Sequence, residues 1–281
     1  MTQTERTRFA PSPTGYLHLG HAFSAMFASQ TAAQLGGEML LRIENIDQGR
    51  CRADFETAIS DDLTWLGLTW PKPVRRQSEH FDEYQAALDQ LDHAGLLFPC
   101  FCTRAEIKAE IAQSPTAPHG PDGPIYPGTC RGLASSEVAD RKANGESFAL
   151  RLDMTRALTN TVLTFDDATR GLIRADPAKY GDVVLARKDT PTSYHLAVTV
   201  DDHVQGITCV TRGDDLFEAT HIHRLLQHLL GYERPRYAHH RLISDADGRR
   251  LAKRDQAASI RELRGRGLTP EDVRALISAP G

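Results

Sequence analysis

A strand-length run, Arg6–Ala10, breaks into a Pro/Gly loop at Pro11–Gly20 and passes into a helical pattern from His21 to about Leu35. This constrains the fold more than any composition figure, because it sets a helix N-terminus at the end of a strand. A second strand, Glu38–Glu44, follows at once. Helical patterns come next at Ala53–Leu66 and Ser78–Ala94, the latter with Phe81, Tyr84, Leu88 and Leu91 on one stripe. Strand–helix–strand alternation of this kind predicts an α/β fold with a parallel sheet and crossover helices. The loop also points to chemistry. Free N–H groups and the positive dipole end of a helix favour phosphate. Gly15 and Gly20 lack a Cβ, so a ligand can approach the backbone. His18 and His21 flank that point and can donate hydrogen bonds to phosphoryl oxygens.

The character changes near Pro99. Residues 99–132 hold a Pro/Gly-rich loop, Ser114–Gly128, and three of the five cysteines. β-like runs follow at Ser147–Leu152, Thr161–Phe165 and Asp182–Ala186. The α/β pattern then resumes with Tyr194–Val200, Ile207–Val210 and the helix Leu216–Leu230. A chain of 281 residues is expected to form about two domains. We read 99–190 as an insertion between two halves of an α/β domain, 1–98 and 191–232, with 233–281 as a C-terminal segment. That segment carries eleven Lys/Arg against seven Asp/Glu, a net +4, whereas the whole chain is −4. Overall charge therefore excludes nucleic-acid binding by bulk attraction but leaves a local basic face.

Apolar residues at 40% and charged residues at 25% exclude wholesale disorder. Apolar stretches break within about ten residues, too short for a membrane span of ~20. The opening MTQTERTRF has no apolar run behind its charges and does not read as a secretory signal, so a cytoplasmic location is expected. An odd number of cysteines in such a chain argues against a disulfide framework. Cys100, Cys102 and Cys130 read as ligands of a structural Zn²⁺, with His119 the conventional fourth. Cys51 and Cys209 read as free thiols.

The opening stretch resembles the glutamate-specific branch of class I aminoacyl-tRNA synthetases. His18-Leu19-Gly20-His21 matches the HIGH motif of that class, with Leu for Ile. Arg250-Leu251-Ala252-Lys253-Arg254 is a looser match to its KMSKS motif: the second lysine stands as Lys253, the first is Arg250, and both serines are replaced. Other matching runs follow in order, namely LLRIENID, DDLTWLGL, YHLAVTVDDH and VTRGDDL. A full-length glutamyl-tRNA synthetase carries a large anticodon-binding region after the lysine loop, whereas this chain stops shortly after Lys253. That layout, with the pattern CxC…YxxxC, resembles the glutamyl-Q tRNA(Asp) synthetases.

The resemblance implies a Rossmann-like parallel sheet with a zinc-bearing insertion and a small helical C-terminal segment. It implies ATP-dependent activation of L-glutamate to glutamyl-adenylate, then transfer of glutamate to queuosine in the anticodon stem-loop of tRNA(Asp). His18, His21 and Lys253 would stabilise the transition state on the triphosphate, with Gly20 beside the ATP and Mg²⁺ accompanying it. Arg8 and Arg212 would bind the glutamate carboxylates, in an order left open. Glu44 would take the ammonium, and Ser12 and Tyr194 would contact the substrate. The family pattern offers Tyr126 rather than His119 as the fourth zinc ligand. A monomer without membrane contact is expected. Two rival readings remain: a glutamyl-tRNA synthetase catalytic domain charging a tRNA 3′ end, and a non-catalytic nucleotide- or RNA-binding paralogue.

Overall fold

The computed structural model describes residues 4–113, 119–121, 123–158, 162–243 and 258–278. Strand β1 (Arg6–Phe9) leads through the Pro/Gly loop into helix α1 (Leu19–Gln34), and strand β2 (Glu38–Ile43) returns parallel to β1 with Arg8 opposite Leu40. The α1 face against the sheet is built of small residues, Ala22, Ala25, Ala28 and Ala32, so the helix lies close to the strands. Gly36 ends the helix at φ +68°. A Cβ on Gly37 would lie 2.0 Å from the Glu5 carbonyl oxygen, so only glycine lets β2 start alongside β1.

Helix α2 (Ala53–Trp65) crosses to strand β3 (Arg75–Arg76), which pairs parallel with β2. Helix α3 (Phe81–His93) buries the predicted stripe of Tyr84, Leu88 and Leu91, with Phe81 packed against it. The chain continues through strand β4 (Leu97–Cys100), helix α4 (Arg104–Gln113), the short strands β5 (His119–Gly120) and β6 (Gly123–Pro124), and helix α5 (Ser135–Ala143). Strand β7 (Ala149–Leu152), helix α6 (Met154–Ala157) and strands β8 (Thr164–Asp167), β9 (Gly171–Arg174) and β10 (Val184–Ala186) follow. Strands β4, β7 and β10 form a separate antiparallel sheet with β7 in the middle.

Helix α7 (Tyr194–Val204), strand β11 (Cys209–Gly213), helix α8 (Ala219–Leu230) and strand β12 (Arg236–His240) complete the α/β unit. Strands β11 and β12 are parallel, and β12 pairs parallel with β8. The Thr208 N–H donates to the Arg6 carbonyl at 3.0 Å, which sets β11 beside β1 and joins the two halves. The strand orders are thus β1-β2-β3 in one sheet and β11-β12-β8-β9 in a second, with β1 beside β11. Strands β8 and β9, both within 99–190, extend the sheet of β11 and β12.

The run Tyr194–Val200, which its pattern does not assign, is part of helix α7. Its β-branched residues and lack of a polar face obscure the helical period, because Leu196 through Val200 are all buried. The Ser193 hydroxyl caps it by accepting from the Leu196 N–H at 3.4 Å. Helices α9 (Ile260–Gly265) and α10 (Pro270–Ser278) bury Ile260, Leu263, Val273 and Ile277 in the core formed by α1, β2 and α2. Arg261, Arg264 and Arg266 remain exposed on the outer side. Among the described residues no helix is long and apolar enough to cross a membrane.

Candidate active site and metal centre

Helix α1 starts two residues earlier than its hydrophobic pattern suggests, because two histidines cap it. His18 Nδ1 accepts from the Gly20 N–H at 3.1 Å, and His21 Nδ1 accepts from the His18 N–H at 3.2 Å. Each Nδ1 is therefore a lone pair, which puts the proton of each neutral ring on Nε2. The two rings lie 3.8 Å apart. A helix start, Gly20 and two imidazoles so oriented make a set of donors suited to anionic oxygen.

Behind this loop lies a buried charge network. Arg8 donates through Nε to Asp202 at 3.0 Å and through Nη1 to the Thr211 carbonyl at 2.7 Å. Arg42, wholly buried, donates to Asp202 at 2.7 Å and to Glu44 at 3.0 Å. Asp201 sits one layer back and accepts from Arg75, Gln77 and Tyr84. Burial pushes the Asp202 carboxyl up, but Arg8 and Arg42 outweigh it and hold the group below its ordinary value. Glu44 goes the other way: burial raises its carboxyl despite Arg42 and Arg8.

Arg212, from β11, has different partners. Nε donates to His239 Nε2 at 3.2 Å, Nη1 lies 3.0 Å from His223 Nδ1, and Nη2 donates to the Thr220 hydroxyl at 2.6 Å. His239 Nδ1 lies 2.6 Å from Asp167, and His195 Nδ1 lies 3.1 Å from His223 Nε2. The Tyr194 ring packs 5.5 Å from both His195 and His223.

All eight described residues predicted to hold glutamate or ATP, Arg8, Ser12, His18, Gly20, His21, Glu44, Tyr194 and Arg212, line one cavity of about 390 Å³. Arg8 and Arg212 stand on strands that meet only through the fold. The cavity is completed by Thr211, Asp215, His240 and Arg241. Lys253, with Arg250 and the rest of the KMSKS-like loop, lies outside the described residues. The chain on either side of that loop is nonetheless at the site: Ile243 lines the cavity, and Ser259 bridges to His18.

Sequence reasoning missed Arg42, Asp202, His223 and His239. A signal for the first two was present, since each is a charge set in or against an apolar run, EMLLRI and YHLAVTVDD. The two histidines carry no such mark.

The sulfurs of Cys100, Cys102 and Cys130 lie within 4.8 Å of one another, and all three are free thiols. Cys102 Sγ is 3.4 Å from Cys130 Sγ and 3.7 Å from Tyr126 Oη. Tetrahedral zinc with Zn–S bonds of ~2.3 Å sets its sulfurs ~3.8 Å apart, so this donor set fits the ion. The Tyr126 oxygen accepts from the Cys130 N–H at 2.8 Å, and its ring stacks on Phe98 with the Arg151 guanidinium 3.9 Å from its centre. His119 lies in β5, within the Pro/Gly-rich stretch.

Residues 5–280 match the family of tRNA synthetases class I (E and Q), catalytic domain. A glutamyl-Q tRNA(Asp) synthetase of Rhodobacter capsulatus is 49% identical over 282 residues, covering 96% of this chain and 99% of its own. A glutamate–tRNA ligase of Aquifex aeolicus is 38% identical over 268 residues, covering 95% of this chain but only 55% of its own. Among solved structures, a glutamate tRNA ligase of Elizabethkingia meningosepticum in complex with its amino acid superposes with a TM-score of 0.76 at 29% identity. That match covers 90% of this chain and 52% of the ligase. With this sheet, this cavity and these relatives, the chain belongs to the class I glutamate and glutamine tRNA synthetase family, in its glutamyl-Q tRNA(Asp) synthetase branch.

Proposed function

We propose that this chain activates L-glutamate with ATP and transfers it to queuosine in the anticodon of tRNA(Asp). The observation that carries the reading is the single cavity that gathers two arginines, a glutamate, a tyrosine and the paired histidines from both halves of the chain. Greater identity to a glutamyl-Q tRNA(Asp) synthetase than to a glutamate–tRNA ligase, 49% against 38%, supports the queuosine acceptor.

In the first step an α-carboxylate oxygen of glutamate attacks the α-phosphorus of ATP. The bond to the bridging oxygen breaks, and pyrophosphate leaves. Such chemistry is promoted mainly by positioning and charge stabilisation. His18 and His21 donate from Nε2 to the triphosphate at the start of α1, with Gly20 giving backbone access, and Lys253 adds a cation from the following loop. Mg²⁺ bound to the ATP would offset the charge of the phosphates. Arg8 and Arg212 take the carboxylates of glutamate, Glu44 takes its ammonium, and Ser12 and Tyr194 close the pocket. In the second step a hydroxyl of queuosine attacks the carbonyl of the adenylate, and AMP leaves.

Cys100, Cys102, Tyr126 and Cys130 hold one structural Zn²⁺, which ties β4 to the segment after the Pro/Gly loop. The exposed arginines of α9 face RNA, close to where Ser259 meets His18. We read 1–98 and 191–232 as the catalytic halves, 99–190 as the zinc-bearing insertion and 233–281 as the stem-contacting segment. A cytoplasmic location goes with these substrates. Pyrophosphate exchange tests the first step. Exchange that depends on glutamate, is not supported by glutamine and needs no RNA is expected; exchange that starts only after tRNA is added would refute RNA-free activation.

A further inference from the structure

Arg212 is held unlike the other buried arginines of the site. Arg8 and Arg42 both contact Asp202, and Arg42 also meets Glu44 and Asp201. Among the described residues, by contrast, Arg212 forms no ion pair. Its partners are two imidazole nitrogens and one hydroxyl, although the residue is 5% exposed.

Proton counting orients the whole group. A guanidinium only donates, so His239 Nε2 and His223 Nδ1 must both be lone pairs. His239 then carries its proton on Nδ1 and donates it to Asp167 at 2.6 Å. The other oxygen of Asp167 accepts from Thr169 and Arg170, which fixes the carboxylate. His223 carries its proton on Nε2 and donates it to His195 Nδ1 at 3.1 Å. Four elements thus converge on one cation: β8, α7, α8 and β12.

We propose that His223 and His239 are positioning residues for Arg212, neutral acceptors that aim the guanidinium without neutralising it and so leave its charge for a carboxylate of the substrate. This rests on the reading of the cavity as a glutamate site. A carboxylate in place of either imidazole would form a charge-assisted pair with Arg212, and the substrate would then have to compete with it. A buried cation among neutral acceptors instead carries an unmet desolvation cost, which an incoming anion relieves. Burial and the Arg212 charge both press the surrounding imidazoles toward the neutral form: His195 and His239 are lowered to about 4, and His223 is lowered well below its ordinary value. Among the charged groups around them, Asp167 alone pulls His239 the other way, and Arg170 works with Arg212.

An isosteric pair of variants separates this role from simple packing. In His223→Gln the amide oxygen can accept from Arg212 and the amide N–H can donate to His195. His223→Glu has nearly the same shape but brings a charge. The expected result is that Gln restores the KM for glutamate to near the wild-type value, while Glu raises it roughly 30-fold or more with the KM for ATP unchanged. Equal effects from both variants, or a Glu variant with the wild-type KM for glutamate, would overturn the proposal. Long-range ¹H–¹⁵N imidazole spectra give a readout without any substrate. Neutral His239 with its proton on Nδ1 and neutral His223 with its proton on Nε2 are expected between about pH 6 and 8. An imidazolium signal, or the opposite tautomers, would refute the cradle. A wild-type protein whose pyrophosphate exchange ignores glutamate overturns the functional reading alone, and the spectra then decide the cradle.

Discussion

Replacing Asp202 by Asn removes one charge from the point where two buried guanidiniums meet. Asp202 accepts from Arg8 at 3.0 Å and from Arg42 at 2.7 Å, and these side chains are 6% and 0% exposed. Breaking a buried pair on one side costs ~3–5 kcal/mol, because the other charge stays buried. Arg42 keeps Glu44 at 3.0 Å and Asp201 at 3.6 Å, so the loss belongs near ~3 kcal/mol, the lower end of that range. At about 2–4 °C per kcal/mol for chains of this order of size, Tm should fall by about 6–12 °C. Arg8 keeps the Thr211 carbonyl, at 2.7 Å, and only a neutral amide oxygen in place of the carboxylate, so its aim into the cavity loosens and the KM for glutamate should rise. Asp201→Asn is the contrast. Asp201 serves Arg75, Gln77 and Tyr84 behind the cavity and reaches the site only through Arg42 at 3.6 Å, so that variant should lower Tm and raise the KM for glutamate less than Asp202→Asn does. Thermal melts and glutamate-dependent pyrophosphate exchange measure both effects. An Asp202→Asn protein with wild-type Tm and KM would refute the claim that Asp202 anchors Arg8.

Arg8→Ala should abolish use of glutamate with the fold intact: loss of a buried charge-assisted partner costs ~2–5 kcal/mol, roughly thirtyfold to several-thousandfold in affinity, and unchanged kinetics would remove Arg8 from the site. Stability should depend on pH through His195 and His239, both lowered from 6.5 to about 4. Between those values the unfolded chain binds more protons than the folded one, so their contribution is full above pH 6.5 and is lost as pH falls toward 4. Melts across that range should show the decline, and a flat Tm would contradict it. Protein purified without added metal should hold about one equivalent of zinc, removable by chelator with a fall in Tm. Tyr126→Phe should weaken retention and His119→Ala should not; the reverse in metal analysis would move the fourth ligand to His119.

The stretch from Arg8 to His21 was legible because glycine, proline and histidine interrupt an otherwise regular strand and helix, leaving few conformations and a clear chemistry. Helix α7 was not legible as helix, since burial on every side removes the polar face that would reveal its period. The cysteine cluster showed in spacing alone. The Asp202 partner of Arg8 did not, because it lies 194 residues along the chain, and neither did the Asp167 that supports His239 behind Arg212, 72 residues from it. Arg212 could be singled out by its motif, but its neutral surroundings emerge only when β8, α7, α8 and β12 come together.

The acceptor of the activated glutamate is the point on which the account turns. Labelled glutamate and ATP are supplied with an isolated anticodon stem-loop of aspartate tRNA bearing queuosine, with the same hairpin bearing guanosine, and with whole tRNAs. The account predicts label on the queuosine hairpin and none on the guanosine hairpin, which lacks the attacking hydroxyl. Its affinity should fall steeply with salt as the arginines of α9 neutralise RNA phosphates. Label on the 3′-terminal ribose of a whole tRNA, with none on the queuosine hairpin, would contradict it.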